Sequence, residues 1–228
     1  MAGILCAILV VLVVVSISVQ KAPRMQVPLS DAIKLPEPRY KGDISVEEAL
    51  LQRRSVREYT HQPLTLAEVS QLLWAAQGVT DSKGYRTAPS AGALYPLELY
   101  AVVGDVEGLS AGIYRYVPAG HQLLLVVSGD KRAELAGAAL GQSYVREAAV
   151  DLVFSCVYTR TTRKYGYRGT QYVHMEVGHA AENVHLQAVS LGLGTVEIGA
   201  FADAPVKEVI GMPQEETPLY IMPVGRQP

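Results

Sequence analysis

Arg53-Arg54-Ser55-Val56-Arg57 puts three guanidiniums and a hydroxyl within five residues. Guanidinium is planar, always charged and forked, so it grips phosphate oxygens two at a time. Between the end of one helix and the start of the next, such a cluster suits a small phosphorylated cofactor. Taken alone, it is also what a solvated basic patch looks like. A second stretch, Pro89-Ser90-Ala91-Gly92-Ala93-Leu94-Tyr95-Pro96, is built of small residues that let a flat ring reach the backbone amides. A structural loop before a strand has the same composition. The third stretch, Gly192 to Phe201, is Gly-rich without the spacing of a dinucleotide fingerprint or a P-loop. It reads equally as a helix C-cap leading into a strand. Val224-Gly225-Arg226 adds a further guanidinium near the C-terminus.

Lys164-Tyr165-Gly166-Tyr167-Arg168-Gly169 sets an amine beside a phenol. Arg160, Arg163 and Arg168 surround that lysine, and neighbouring cations favour the neutral amine that a base needs. The alternative is a basic, solvated loop. His179, Glu182 and His185 follow one another three apart on a helical stretch, whereas a zinc-binding His pair sits four apart. The two histidines therefore point in different directions, and no metal is expected. Ser90 lacks the Gly-x-Ser-x-Gly surroundings of a nucleophilic serine.

These groups need a scaffold, and 228 residues supply one domain with a sizeable core. A net charge of −2 gives no global sign of nucleic-acid binding. Thirteen Tyr against two Phe favour rings that also donate a hydrogen bond. Cys6 and Cys156 lie in unrelated settings and are not expected to pair. Ser45-Val46-Glu47-Glu48 and Thr65-Leu66-Ala67-Glu68 are capping boxes, predicting helices to Gln52 and to Gly78. Strands are expected over 97–103 and 150–158, with a hairpin of 113–117 and 122–127 around Pro118-Ala119-Gly120. Further helices are expected over 131–140, 172–191 and from Asp203 to Gly211, with a last strand over 219–224 and Arg226 just beyond it. Gly178 is read as a point of close backbone approach on the long helix. A hairpin mixed with helices argues for α+β.

Residues 1–20 carry no charge and are almost wholly apolar, a length that just spans a bilayer core. Lys21 and Arg24 follow the run, so the expectation is a transmembrane anchor with the domain in the cytoplasm. A cleaved signal ending near Ser16-Ile17-Ser18, with export, and a mis-called start are the alternatives. Residues 21–43 read as a Pro-rich linker and 44–228 as the functional domain.

Taken in order, these stretches resemble the nitroreductase-like flavoprotein superfamily, and within it the SagB-type dehydrogenase branch that includes the azoline oxidases. The resemblance runs from about Ser45 to Arg226. It rests on Arg-Arg-Ser-x-Arg, on Pro-Ser-Ala-Gly-Ala-Leu-Tyr-Pro, and on Met175-Glu176-x-Gly178-His179-x-x-x-Asn183 leading into Leu191-Gly192-Leu193-Gly194. It implies a three-layer α+β fold with a central, mostly antiparallel sheet flanked by helices, and a homodimer with FMN at the interface. Arg53, Arg54, Ser55 and Arg57 would hold the FMN phosphate and ribityl chain, with Arg226 completing the phosphate site. Pro89, Ser90, Ala91 and Gly92 would line the isoalloxazine from the partner subunit, and Ile198, Gly199 and Ala200 its reactive edge. Lys164 and Tyr165 would be the catalytic pair that removes a proton during ring oxidation. Classical members often carry Asn and Gln in the Pro-Ser loop, where Ala93 and Tyr95 stand here. The implied activity is hydride transfer through FMN between NAD(P)H, or a small-molecule or peptide substrate, and a second acceptor. A non-catalytic flavin-binding or scaffold subunit of a peptide-modifying complex, or a membrane-anchored contact module, remains open.

Overall fold

The capping boxes act as their spacing predicts. Ser45 Oγ accepts the Glu48 N–H at 3.1 Å and opens α1 (Val46–Gln52). Thr65 and Glu68 close a complete box that opens α2 (Leu66–Gln77). Gly78 ends α2 without entering the left-handed region. It is required instead because a Cβ there would stand 2.1 Å from the Trp74 ring. This computed structural model describes residues 32–228.

The sheet is built on β3 (Leu97–Val103) and β7 (Val150–Cys156), both buried throughout and paired antiparallel in full register. β5 (Gly112–Val117) and β6 (Gln122–Ser128) form the expected hairpin. β9 (Thr217–Arg226) pairs with β7 along its length, and β8 (Leu193–Thr195) pairs with the far end of β9. β1 (Ile33–Lys34) adds an edge strand from within the stretch read as linker. The order is β1-β6-β5-β3-β7-β9-β8, antiparallel at every pairing. β2 (Leu64–Thr65) and β4 (Val106–Glu107) make a separate two-stranded sheet.

Side chains leave a strand alternately to its two faces, and two cores follow from that. Leu97, Leu99, Ala101 and Val103 pack with Leu152 and Phe154 beneath α2 and the long α6 (Arg168–Ser190). Tyr100, Val102, Val153 and Ile221 pack on the other face. They meet α3 (Arg132–Ala138), α4 (Ser143–Glu147) and α7 (Asp203–Ile210). The result is three layers, helix–sheet–helix, an α+β fold around a central antiparallel sheet.

Several boundaries differ from the expectation. The strand predicted to reach Tyr158 stops at Cys156: Val157 N–H still bonds to Pro96 O at 2.9 Å in the β3 register, but proline has no N–H to return, and the chain turns into α5 (Tyr158–Tyr165). Lys164 and Tyr165 are therefore helical, not in a loop, and α6 begins at Arg168. Arg226 lies inside β9, not beyond it. Gly178 is exposed, and no other described segment comes within 4 Å of where its Cβ would stand, so it is not a point of close approach. No helix among the described residues is long and apolar enough to cross a membrane, which corrects the transmembrane and membrane-anchored reading. Residues 1–20, on which that reading and its export alternative rested, lie outside the described residues.

One core residue makes a prediction. Asp151 is fully buried, neither carboxyl oxygen has a hydrogen-bond partner, and the residue opposite it on β9 is Pro223, which has no N–H. Burial pushes its carboxyl well above the usual range, and Arg132, the cation that opposes this, is itself paired with Asp130. A folded-state pKa raised above the unfolded one gives stability at acid pH that is lost as pH rises. Asp151→Asn is therefore expected to be more stable than the parent at mildly alkaline pH, by on the order of 2 kcal/mol. In thermal melts across a pH series, the difference should shrink toward acid pH.

Candidate active site

The arginine motif lies along the β8 edge of the sheet. Arg53 caps the C-terminus of α1 and is half-buried. Arg54 turns back and donates to the Leu51 and Arg53 carbonyls at 3.1 and 2.6 Å, satisfying acceptors the helix end leaves open. Ser55 bridges Thr195 in parallel, and Val56 N–H donates to Thr195 O at 2.9 Å. Gly194 permits this approach, since a Cβ there would be 2.6 Å from Val56 Cγ1. Tyr59 Oη reaches both Val56 O (2.8 Å) and Pro223 O (3.1 Å), tying the motif to β9. The first and third sequence motifs thus meet. Among the described residues, Arg53, Arg54 and Arg57 take part in no ion pair.

A cavity of ≈300 Å³ opens beside them, lined by Arg54, Val56, His185 and Thr195 among others. Thr195 Oγ1 is buried there without a partner. His185 is buried with Nε2 2.7 Å from the Glu197 carboxylate, though the ring N–H is not aligned to donate to it. That contact holds Glu197 below the usual carboxylate range. His179 is exposed on α6, so the two histidines do diverge. Arg226 faces the same edge, but its donors are engaged. The guanidinium makes two 3.1 Å bonds to the Glu68 carboxylate and a 3.2 Å bond to Pro63 O. Ile198 bridges Ile221 through reciprocal bonds of 2.9 and 3.0 Å, and presents Gly199 and Ala200 exposed beyond it.

The Pro-Ser loop forms a second cluster. Ser90 Oγ accepts the Tyr95 N–H at 2.9 Å. Gly92 (φ 64°), Ala93 (φ 54°) and Tyr95 (φ 46°) all occupy the left-handed region. The two non-glycine residues cost on the order of 1–3 kcal/mol each, strain that is typically stored at functional sites. Tyr95 is held there from several sides. Its ring lies under the Arg86 guanidinium at 4.4 Å, and its carbonyl accepts from Arg160 at 3.2 Å. Arg160 is in turn paired with Glu98 at 2.5 Å, and Glu98 also binds Arg115 at 2.7 Å.

Lys164 and Tyr165 reach this loop from the end of α5. A Cβ on Gly92 would stand 2.7 Å from Tyr165 Oη and 2.9 Å from Lys164 Nζ. The Lys164 ammonium lies 5.3 Å from the Tyr165 ring centre, and Tyr165 meets Tyr172 edge-on. α5 sits close on α6 because Gly169 has no side chain: a Cβ there would be 2.9 Å from Thr162 N and Cα. Beneath the loop lies a residue whose role the sequence did not announce. Glu176, on α6, is 2% exposed. Burial pushes its carboxyl up to about 7, against the Ser90 hydroxyl and Arg86, which favour the ionised form. The available signal was an acid inside the apolar stripe of Val173, Val177 and Ala180.

The two clusters sit at opposite ends of β9. Leu97, next to the Pro-Ser loop, pairs with Cys156, which pairs with Thr217, whereas Arg226 pairs with Leu193. From Thr217 to Arg226 is nine steps along the strand, roughly 30 Å.

A family profile gives a name to this architecture, with its arginine strip on the sheet edge and its strained small-residue loop under a Lys-Tyr pair. The "Nitroreductase family" profile matches residues 50–226, and the chain belongs to that family. It is 51% identical over 185 residues to "Putative nitroreductase MJ1384" of Methanocaldococcus jannaschii, covering 81% of this chain and 92% of that protein. It is 27% identical to the microcin B17-processing protein McbC of Escherichia coli, over 71% of this chain and 62% of that one. The structure of the NADPH:FMN oxidoreductase of Vibrio harveyi complexed with NAD+ superposes with a TM-score of 0.58 at 27% identity. That match spans 79% of this chain and 68% of that one.

Proposed function

We propose that the protein is an FMN-dependent oxidoreductase of the SagB-type branch, acting as a homodimer. The observation that carries this is the convergence of Lys164 and Tyr165 on Gly92, which joins two sequence motifs over seventy residues apart. Near-equal identity to a peptide-processing protein and to a flavin oxidoreductase leaves the branch to be argued from these residues. Ala93 and Tyr95, in place of Asn and Gln, favour the SagB type.

The residues fit a flavin mononucleotide. Three guanidiniums free of acidic partners among the described residues, beside the orphaned Thr195 hydroxyl, suit a phosphate and a ribityl chain. The small residues Pro89 to Gly92 and the exposed Gly199-Ala200 suit a flat ring. Arg226 acts here by position, through its pair with Glu68. Distance supports the dimer, given that both clusters serve one cofactor. Clusters roughly 30 Å apart on one strand are farther than one mononucleotide spans, so the loop of one protomer would serve the arginines of the other. Exposed Val46, Leu50 and Leu51 on α1 and Met175 on α6 supply apolar surface for that contact.

When bound, FMN supplies two-electron acceptance and donation. The arginines would orient it, the amides of the Pro-Ser loop would face its ring, and Lys164, with Tyr165, would take a proton from a substrate being oxidised. NAD(P)H is the alternative hydride donor.

The test is the visible spectrum of the purified protein with added FMN, before and after NADPH or NADH. Bleaching by a nucleotide marks a reductase. A flavin that stays oxidised marks a dehydrogenase that draws hydride from its own substrate. A protein that takes up no FMN overturns the reading. Arg57→Ala is expected to weaken FMN binding about tenfold, the worth of one charged hydrogen bond, as measured by fluorescence quenching.

A further inference from the structure

Tyr95 stands in the left-handed region against two preferences. It is not a glycine, and Pro96 pushes the residue before it toward extended backbone. Each of its polar groups has a partner. Its N–H donates to Ser90 Oγ at 2.9 Å, its hydroxyl accepts the Arg86 backbone N–H at 3.3 Å, and its ring lies under the Arg86 guanidinium. Ser90 and Arg86 come from the chain just before it. The carbonyl is held from elsewhere: it accepts from Arg160 Nη1 at 3.2 Å, and Arg160 lies in the first turn of α5.

The other arm of that guanidinium is aimed from the sheet. Arg160 Nη2 donates to Glu98 Oε1 at 2.5 Å. Glu98, on β3, is 8% exposed, and its second oxygen is taken by Arg115 of β5, through Nε at 3.1 Å and Nη2 at 2.7 Å. Both strands have a neighbour on each side, so Oε1 is a fixed point on a rigid sheet. Guanidinium is a planar fork, and with one arm on Glu98 the direction of the other is set. α5 is eight residues long, and Arg160 and Lys164 are four apart on it, which places them on one face. The helix therefore meets the Pro-Ser loop at both ends: at Arg160 through the Tyr95 carbonyl, and at Lys164 and Tyr165 over Gly92.

We infer that Arg160 is a positioning residue for Lys164 and Tyr165. Aimed by Glu98, its guanidinium fixes the start of α5 against the strained loop, and the last turn of the helix follows. Arg160 acts through the pair and not on the substrate. The inference rests on the flavin and proton-transfer reading for what the pair does, and on the bonds of Arg160 for how the pair is held.

The experiment compares Arg160→Lys and Arg160→Ala in the FMN-loaded protein, and again on a Lys164→Ala background, by oxidation of an azoline-containing peptide. Lysine keeps a charge beside Glu98 but has no fork to serve both oxygens. Glu98 keeps Arg115 in either variant, so no buried charge is left unpaired. With Lys164 present, each substitution is expected to lower kcat about tenfold, the worth of one charged hydrogen bond, and to leave KM within about twofold. On the Lys164→Ala background the same substitutions should change kcat by less than about twofold, because a group that acts only through Lys164 has nothing left to position. An equal fall on both backgrounds marks general damage to the fold and overturns the inference. The parent rate in both variants overturns it too.

Hydrogen exchange supplies an arm without flavin or substrate. The Tyr95 amide, bonded to Ser90 Oγ, and the Gly166 amide, bonded to Thr162 O at 2.8 Å, should both exchange about tenfold faster in Arg160→Ala. If the parent takes up no FMN, or binds it and leaves the peptide unchanged, the proposed chemistry falls and exchange alone decides whether Arg160 joins helix and loop. Unchanged exchange at either amide overturns the inference.

Discussion

Gly92→Ala is expected to fold, to bind FMN and to lose most of its oxidation of a substrate that must surrender a proton. The new methyl would occupy the space of Tyr165 Oη at 2.7 Å and Lys164 Nζ at 2.9 Å. Both atoms are ends of flexible side chains, so they give way and the fold does not. The backbone adds a modest penalty, since φ is 64° at this position and alanine enters that region at about 1 kcal/mol. Removing a positioned base costs roughly 10²–10⁴ in rate. A loss of about a hundredfold in kcat is expected, with Lys164→Ala in the same range. The measurement is turnover of an azoline-containing peptide, with a melting curve alongside. Reduction of the bound cofactor by NADPH removes no substrate proton and should change far less. A Gly92→Ala protein that oxidises the peptide at the parent rate would remove Lys164 and Tyr165 from the mechanism.

Gly169→Ala should damage the same chemistry from behind, and the stability as well. Here the added carbon meets backbone: Thr162 N and Cα at 2.9 Å and Thr161 C at 3.0 Å. Backbone atoms cannot rotate away, so α5 must lift from α6. Overpacking of this kind costs about 1–3 kcal/mol, or several degrees of melting temperature in a chain of this size. Because α5 ends in Lys164 and Tyr165, the shift also draws them off Gly92. The expected result is a lower Tm together with a fall in peptide oxidation comparable to that of Gly92→Ala. A fall in Tm with unchanged kcat would mean that the α5 terminus does not position the reacting groups.

How much of this was readable from the chain depended on range. The capping boxes at Ser45 and Thr65 and the bounds of β3 rest on neighbours within a few residues, and they appear where expected. The antiparallel core followed from apolar runs of strand length and from the hairpin turn. α5 did not, because Val157-Tyr158-Thr159 has the composition of a strand, and the ladder ends only because the residue opposite Val157 is Pro96, which has no N–H to return. Gly178 and Gly169 look alike in sequence, and only the packed structure separates the exposed one from the one that lets two helices touch. The candidate site was legible as motifs but not as an assembly. Arg226 was recognised as a guanidinium near the C-terminus, yet its pairing with Glu68 spans 158 residues and leaves no local trace. Residues 1–20 read as a membrane segment on hydropathy alone, and no helix among the described residues supports that.

The length of β9 has a genetic corollary. In the proposed dimer each chain is half of two sites, giving its arginine end to one and its loop end to the other. Damage is then a property of pairings. A subunit spoiled at Arg53 and a subunit spoiled at Lys164 are each inactive with their own kind. Paired with each other, they concentrate both lesions in one site and leave the second whole. Two null alleles of this gene, if they fall at opposite ends of that strand, can therefore complement within a single cell.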